Sequence, residues 1–186
     1  MIKTDMEIMR MNRDEAIERI MNGYGDEIKR LIYTYLKNTA DTDDVTQEVF
    51  ILVYRKLHSF QGKSSLKSWI YSIAINKSKD YLRNWRVRNR RLKEKLMQTA
   101  SHAEKETNTP EESTLKQSES DELLDQVMNL KTKYREAIIL YHFEELTIKE
   151  ISSTLSVKQA TVRTRLKRGR EKLQALIETD GGEVDA

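Results

Sequence analysis

Apolar side chains recur at helical spacing along most of this chain, and the pattern lapses in one polar stretch near the middle. Asn12 stands at a cap position ahead of Ala16, Ile17, Ile20 and Met21, which share one face, and Gly23 is the expected stop. Ile28, Leu31, Ile32, Tyr35 and Leu36 mark a second helix. Thr42 opens a third that turns Val45, Val49, Phe50, Val53 and Leu57 inward. Asp43, Asp44, Gln47 and Glu48 lie mainly on its other faces and gather negative charge near its N-terminus. Gly62, Ser64 and Ser65 then break the chain. From Leu66 the series Trp69, Ile70, Ile73, Ala74, Lys77, Tyr81 predicts a fourth helix, with Asn76, Asp80 and Arg83 aligned at i, i+4 and i+7 on another face. Phe50 and Trp69 read as core, whereas Trp85 is balanced between core and base-stacking platform.

The second half holds the sharpest local signal. Thr147 and Glu150 form a capping box, and Ile148, Ile151 and Leu155 follow on one face of a short helix ending near Leu155. Beyond Ser156 and Val157 a second stripe runs through Val162 and Leu166, while Arg163, Thr164, Lys167 and Arg168 point away from it. Two short helices joined by a tight turn, the second densely basic, outline a helix-turn-helix whose long donors can reach base edges and phosphates in a major groove. A solvated charged helix would show the same charge without the preceding capped helix and turn.

Between the halves, residues 98–120 are polar, acidic and contain the one proline, Pro110. They are expected to form a flexible linker, averaging about 26 Å end to end as a coil and at most about 76 Å extended. The organisation expected is all-α: a first domain over 1–97, the linker over 98–120, a second domain over 121–180 and a disordered tail over 181–186.

Charge is segregated along the same divisions. Residues 1–97 carry 20 Lys/Arg against 13 Asp/Glu, residues 98–122 carry 2 against 7, and residues 123–186 carry 11 against 10. Two runs are densest, Arg83 to Lys95 and Lys158 to Lys172, each with seven basic residues. Two separated basic surfaces suggest two contacts with one polyanion. The 186 residues contain no cysteine, which excludes a disulfide framework and a thiolate nucleophile and fits a reducing compartment. Met1 to Met21 mixes charges among its apolar residues, unlike a signal peptide, and no apolar run approaches the roughly 20 residues that span a bilayer. His58, His102 and His142 have no ligand-like spacing.

The run DTDDVTQEVFILVYRKLHSFQGKSSLKSWIYSIAINKSKDYLRNWR, followed after the linker by LKTKYREAIILYHFEELTIKEISSTLSVKQATVRTRLKRGREKLQ, resembles the bacterial RNA polymerase sigma factors of the extracytoplasmic function group. The likeness covers residues 12–178 with both halves in order. It implies a sigma-2 helical bundle and a sigma-4 helix-turn-helix, core RNA polymerase and promoter DNA as partners, an anti-sigma factor that is often membrane-bound, a cytoplasmic location, and no catalytic residues or cofactor. By position, Asp44, Gln47 and Glu48 resemble the segment that docks on the clamp helices of the polymerase. The loop Gln61 to Ser68, with Gln61, Gly62, Lys63, Ser64 and Ser65, resembles the one that accepts a base flipped from the −10 element, and small hydroxyl residues would let a base edge approach. Asn76, Asp80, Arg83 and Arg86 fall where the family contacts the −10 strand as it opens. Arg163, Thr164, Lys167 and Arg168 occupy its −35 recognition positions. Ser152, Ser156 and Lys158 depart from the alanine, glycine and cap residue common in that turn, which weakens the start of the recognition helix.

Two other classes share parts of this pattern. A two-domain transcription activator would have the helix-turn-helix but needs a ligand pocket or phosphoacceptor region, of which residues 1–97 show no sign. A metal-dependent nuclease would use Asp41, Asp43, Asp44 and Glu48, yet these sit on one helix with no partner cluster elsewhere.

Overall fold

The computed structural model of the protein describes residues 5–99 and 119–180. Among these the regular elements are all helical. The expected linker falls largely outside them and the expected tail falls wholly outside.

A four-residue turn, α1 (Asp5–Ile8), leads into α2, which runs unbroken over Arg13–Leu36. Asn12 is its N-cap as expected, accepting from the Glu15 amide at 2.9 Å. The stop at Gly23 is not there, and the two expected helices are one. Glycine in a helix costs up to about 1 kcal/mol, but Ala16, Ile20, Tyr24, Ile28, Ile32 and Tyr35 form one buried stripe that continues in register past it. Burial of that stripe, at roughly 1.5–3 kcal/mol per large apolar side chain, exceeds the cost. The helix ends instead at Lys37, whose φ of 53° places it in the left-handed region while its N–H bonds the Tyr33 carbonyl.

The third helix, α3, spans Thr39–Lys56 and starts three residues before the expected Thr42. Asn38 is the cap, taking the Asp41 amide at 2.9 Å. Thr42 is instead buried and donates back to the Asn38 carbonyl at 2.6 Å. Val45, Val49, Phe50 and Val53 are core as expected. A 3-10 turn (Leu57–Ser59) and a loop containing Gly62, at φ 65°, then lead into α4 (Leu66–Thr99). The start of α4 is held by an element far away in sequence, because Asp5 accepts from the Leu66 amide at 2.7 Å and so places a carboxylate at the helix's positive end. Trp69 packs on Phe60, ring centroids 5.2 Å apart, against the core that α2, α3 and α4 enclose.

The C-terminal unit comprises α5 (Glu119–Asn129), α6 (Thr132–Ile138), a π turn (Ile139–Phe143), α7 (Ile148–Leu155) and α8 (Gln159–Asp180). The capping box forms as expected: Thr147 receives the Glu150 amide while the Glu150 carboxylate takes the Thr147 amide at 2.9 Å. Ser156 adopts φ 55°, a conformation in which glycine would be relaxed. The turn gains a compensating bond, since the Ser152 hydroxyl donates to the Val157 carbonyl at 2.6 Å. Val162 and Leu166 of α8 are buried under α6 and α7. Gly169 lets α8 lie close on α6, where an added Cβ would come within 3.0 Å of Ile138.

Candidate polymerase and nucleic-acid interface

Three rows of side chains stand outside the core at the predicted positions. On α3, Asp44, Gln47 and Glu48 are exposed. They do not act as one carboxylate cluster with their neighbours: Glu48 is ion-paired with Lys77 of α4, Asp43 pairs with Lys29 of α2 at 2.6 Å, and Asp41 holds the Tyr81 hydroxyl. Among the described residues no group of three His, Cys, Asp or Glu side chains converges as a metal site would require. Ile51 extends the Asp44 and Gln47 row by another turn and is exposed.

On α4, Asn76, Asp80, Arg83 and Arg86 are all exposed, and Asp80 holds Arg83 at 2.9 Å. A cleft of about 390 Å³ lined by Glu48, Lys77, Asp80, Tyr81, Asn84, Val87 and Arg88 joins this row to the α3 row. The two expected contacts, polymerase on one side and DNA on the other, thus share a rim. Trp85 lies on the outer side of α4 at 44% exposure. On α8, Arg163, Thr164, Lys167 and Arg168 are exposed on the side away from Val162 and Leu166. Thr164 spends its hydroxyl proton on the Ala160 carbonyl at 2.9 Å, leaving its oxygen lone pairs outward.

The loop behaves differently from these rows. Gln61, Gly62 and Lys63 are exposed, but Ser64 and Ser65 are half-buried, and the Ser65 hydroxyl donates to Glu150 of α7 at 2.8 Å. Ser68 is buried beside it, its carbonyl receiving the Thr154 hydroxyl at 3.4 Å. The loop therefore lies under the first helix of the helix-turn-helix.

That contact belongs to a polar seam between the two units, which the sequence pattern does not announce. Glu136 of α6 is only 4% exposed and receives the Tyr35 hydroxyl at 2.9 Å, Lys79 at 3.0 Å and Arg165 at 2.7 Å. Glu144, just past the π turn and 6% exposed, receives the Tyr71 hydroxyl and has Lys67 at 3.4 Å. Glu27 approaches the same phenol at 2.8 Å and the same ammonium at 3.3 Å. Burial and the carboxylates raise the pKa of Tyr35 and Tyr71, so both are phenols that donate. The only hint in the sequence is a pair of glutamates bracketing the apolar run AIILY, with tyrosines at apolar positions of α2 and α4.

Glu150 shows opposing influences. Burial raises its pKa, but the bonds from Thr147, Ser65 and Ser68 outweigh that and hold it below the ordinary carboxylate range.

Comparison with known proteins agrees with this layout. Residues 20–88 match the family Sigma-70 region 2, and residues 120–173 match Sigma-70, region 4. These are the three-helix bundle with its loop and the helix-turn-helix unit. The chain is 30% identical over 183 residues to the ECF RNA polymerase sigma factor SigW of Bacillus subtilis, covering 94% of this chain and 95% of that one. It is 31% identical over 175 residues to the ECF RNA polymerase sigma-E factor of Escherichia coli K12, covering 88% and 89%. In fold it is similar to the sigma factor RpoE of Bartonella quintana, solved in complex with the anti-sigma factor NepR, at a TM-score of 0.66, 18% identity, and 91% and 98% coverage. Both matched segments are sigma regions in the order that the family carries them, which disfavours the ligand-sensing activator. With whole-length relatives at this identity, the chain belongs to the extracytoplasmic function group of RNA polymerase sigma factors.

Proposed function

We propose that this protein, a transcription initiation factor that binds RNA polymerase and directs it to promoters, divides that work among the three exposed rows and the loop between α3 and α4. Asp44, Gln47 and Glu48 dock on core polymerase. Gln61, Gly62, Lys63, Ser64 and Ser65 receive a base flipped from the −10 element, and Asn76, Asp80, Arg83 and Arg86 follow the opening strand. Arg163, Thr164, Lys167 and Arg168 read the −35 element. The observation that carries this assignment is the exposure of the three rows beside a well-packed core, which leaves them accessible to a partner although Glu48, Asp80 and Arg83 also make surface ion pairs. Tethering both units on one polymerase makes the second DNA contact intramolecular, which lets two weak grips suffice. The protein acts in the cytoplasm, has no catalytic residues of its own, and is held in check by an anti-sigma factor; among the described residues no helix is long and apolar enough to cross a membrane.

In vitro transcription with purified core polymerase on a genomic library tests the reading. New start sites sharing upstream −35 and −10 sequences are expected, and their absence with a demonstrably competent core would reject it.

A further inference from the structure

We infer that α1 is a strut for the loop assigned to the flipped −10 base, and that Asp5 is a positioning residue for base selection there, acting through the amide of Leu66. This role rests on the assignment of Gln61 to Ser65 as that loop. The residues matched to Sigma-70 region 2 begin at residue 20, so α1 lies ahead of them and takes no role from that match.

The loop is held at both ends and free between them. On one side the Phe60 amide bonds the Leu57 carbonyl at 3.1 Å and its ring packs on Trp69, with centroids 5.2 Å apart. On the other, Ser65 caps α4: its hydroxyl accepts the Ser68 amide at 3.3 Å and its carbonyl accepts the Trp69 amide at 3.0 Å. The amide of Leu66, first residue of α4, has no partner within its own helix, and Asp5 accepts it at 2.7 Å from 61 residues away. Between these anchors Gln61, Gly62 and Lys63 are exposed, and Gly62 turns the chain at φ 65°. The anchors therefore set the shape of the loop.

Asp5 can serve as an anchor because α1 is itself fixed. Ile8 is fully buried, and Met9 and Met11 pack on the same core. The Met9 amide bonds the Asp5 carbonyl at 3.1 Å and the Met11 amide bonds the Ile8 carbonyl at 3.2 Å, which closes the turn. A recognition element has to be held to about 0.5 Å to select its ligand by hydrogen bonds. Without the carboxylate, the Leu66 amide loses a charge-assisted bond at a fully buried residue, and the start of α4 shifts to satisfy it. That shift passes directly to Ser64 and Ser65, the half-buried part of the loop. A base can still enter, but the site discriminates less.

The test uses the full chain assembled with core polymerase. A promoter found by in vitro transcription supplies the template, and 2-aminopurine fluorescence in the parent holoenzyme locates the unstacked −10 position. Four duplexes that differ only at that position are then opened, with permanganate reactivity of the surrounding thymines as the readout. Asp5→Ala should shrink the ratio between the best base and the others about fivefold, the scale of one lost hydrogen bond, with core affinity and −35 preference at parent values. Asp5→Asn, whose amide oxygen can still accept the Leu66 N–H, should restore the ratio, and failure to do so overturns the action through that amide. An unchanged ratio in Asp5→Ala, or a uniform drop on all four duplexes, makes Asp5 a helix cap alone and overturns the positioning role. Gln61→Ala/Lys63→Ala, in the exposed part of the loop, separates this inference from the assignment beneath it. If that variant alters the ratio and Asp5→Ala does not, the loop stands and the strut falls; if neither alters it, the loop assignment falls and the strut with it. If circular dichroism shows Asp5→Ala unfolded, Asp5→Glu keeps the charge and displaces the oxygens by one methylene, with the same outcomes expected.

Discussion

Ser65 and Glu150 are hydrogen-bonded at 2.8 Å across 85 residues of sequence, and the same carboxylate closes the capping box of α7. One side chain thus caps the helix-turn-helix and covers the loop assigned to the flipped base. Its folded-state pKa is depressed, so the stability it contributes is present above the unfolded value of about 4.5 and is lost as pH falls through the lower folded value. Thermal unfolding followed between pH 6 and about pH 3 should show a decline that Glu150→Gln makes shallower. An equal decline in both proteins would place the acid sensitivity elsewhere.

Gly25 offers a clean check on the continuity of α2. An added Cβ there meets nothing within 4 Å, so Gly25→Ala should raise stability by about 0.5–1 kcal/mol through helix propensity alone. Urea unfolding measures this. A loss of stability would mean that the glycine supplies a bend the helix needs.

Reversing Asp44 to Lys should weaken core-polymerase binding while leaving helical content intact, because this side chain is exposed. Glu48→Lys is expected to do the same with an added local cost, since it leaves Lys77 facing a second cation. Affinity and circular dichroism read together separate the effects, and unchanged affinity in both variants rejects the docking row.

Replacing Arg163 or Arg168 by Ala should cost about 1–3 kcal/mol on a −35 element if the guanidinium makes a bidentate base contact, with relaxed preference at that base pair. A loss that is uniform over sequences, with a salt slope lowered by about one, identifies a phosphate contact instead.

Asn76→Ala should leave core affinity and closed-complex formation nearly unchanged but reduce strand opening, because its amide can both donate to and accept from an unstacked base. Permanganate reactivity of unpaired thymines gives the readout, and a template already mismatched across −10 should restore much of the activity. Full opening by the variant on duplex DNA would leave α4 as scaffold.

Local and periodic features were legible in the chain itself. The capping box at Thr147, the stripes through Val45 to Val53 and Val162 to Leu166, the break at Gly62 and the cap at Asn12 all stand where the residue pattern puts them. Each depends on neighbours within a turn or two. What lies on the outer faces was legible for the same reason, since a polar row opposite an apolar stripe has nowhere else to go.

Tertiary structure decided the rest, through contacts whose partners are distant in sequence. Gly23 reads as a stop from propensity alone, yet a stripe packed against α3 and α4 carries α2 through it. Asp5 becomes the cap of α4 only once α1 is folded beside Leu66. Glu136 and Glu144 look like solvated charges in a linear reading, and they are buried because Tyr35, Lys79, Tyr71 and Lys67 of the other unit supply the bonds that make burial tolerable. Periodicity determines which way a side chain leaves its own helix. It carries no information about which charged group of another unit will be waiting there, and only the folded chain decides that pairing.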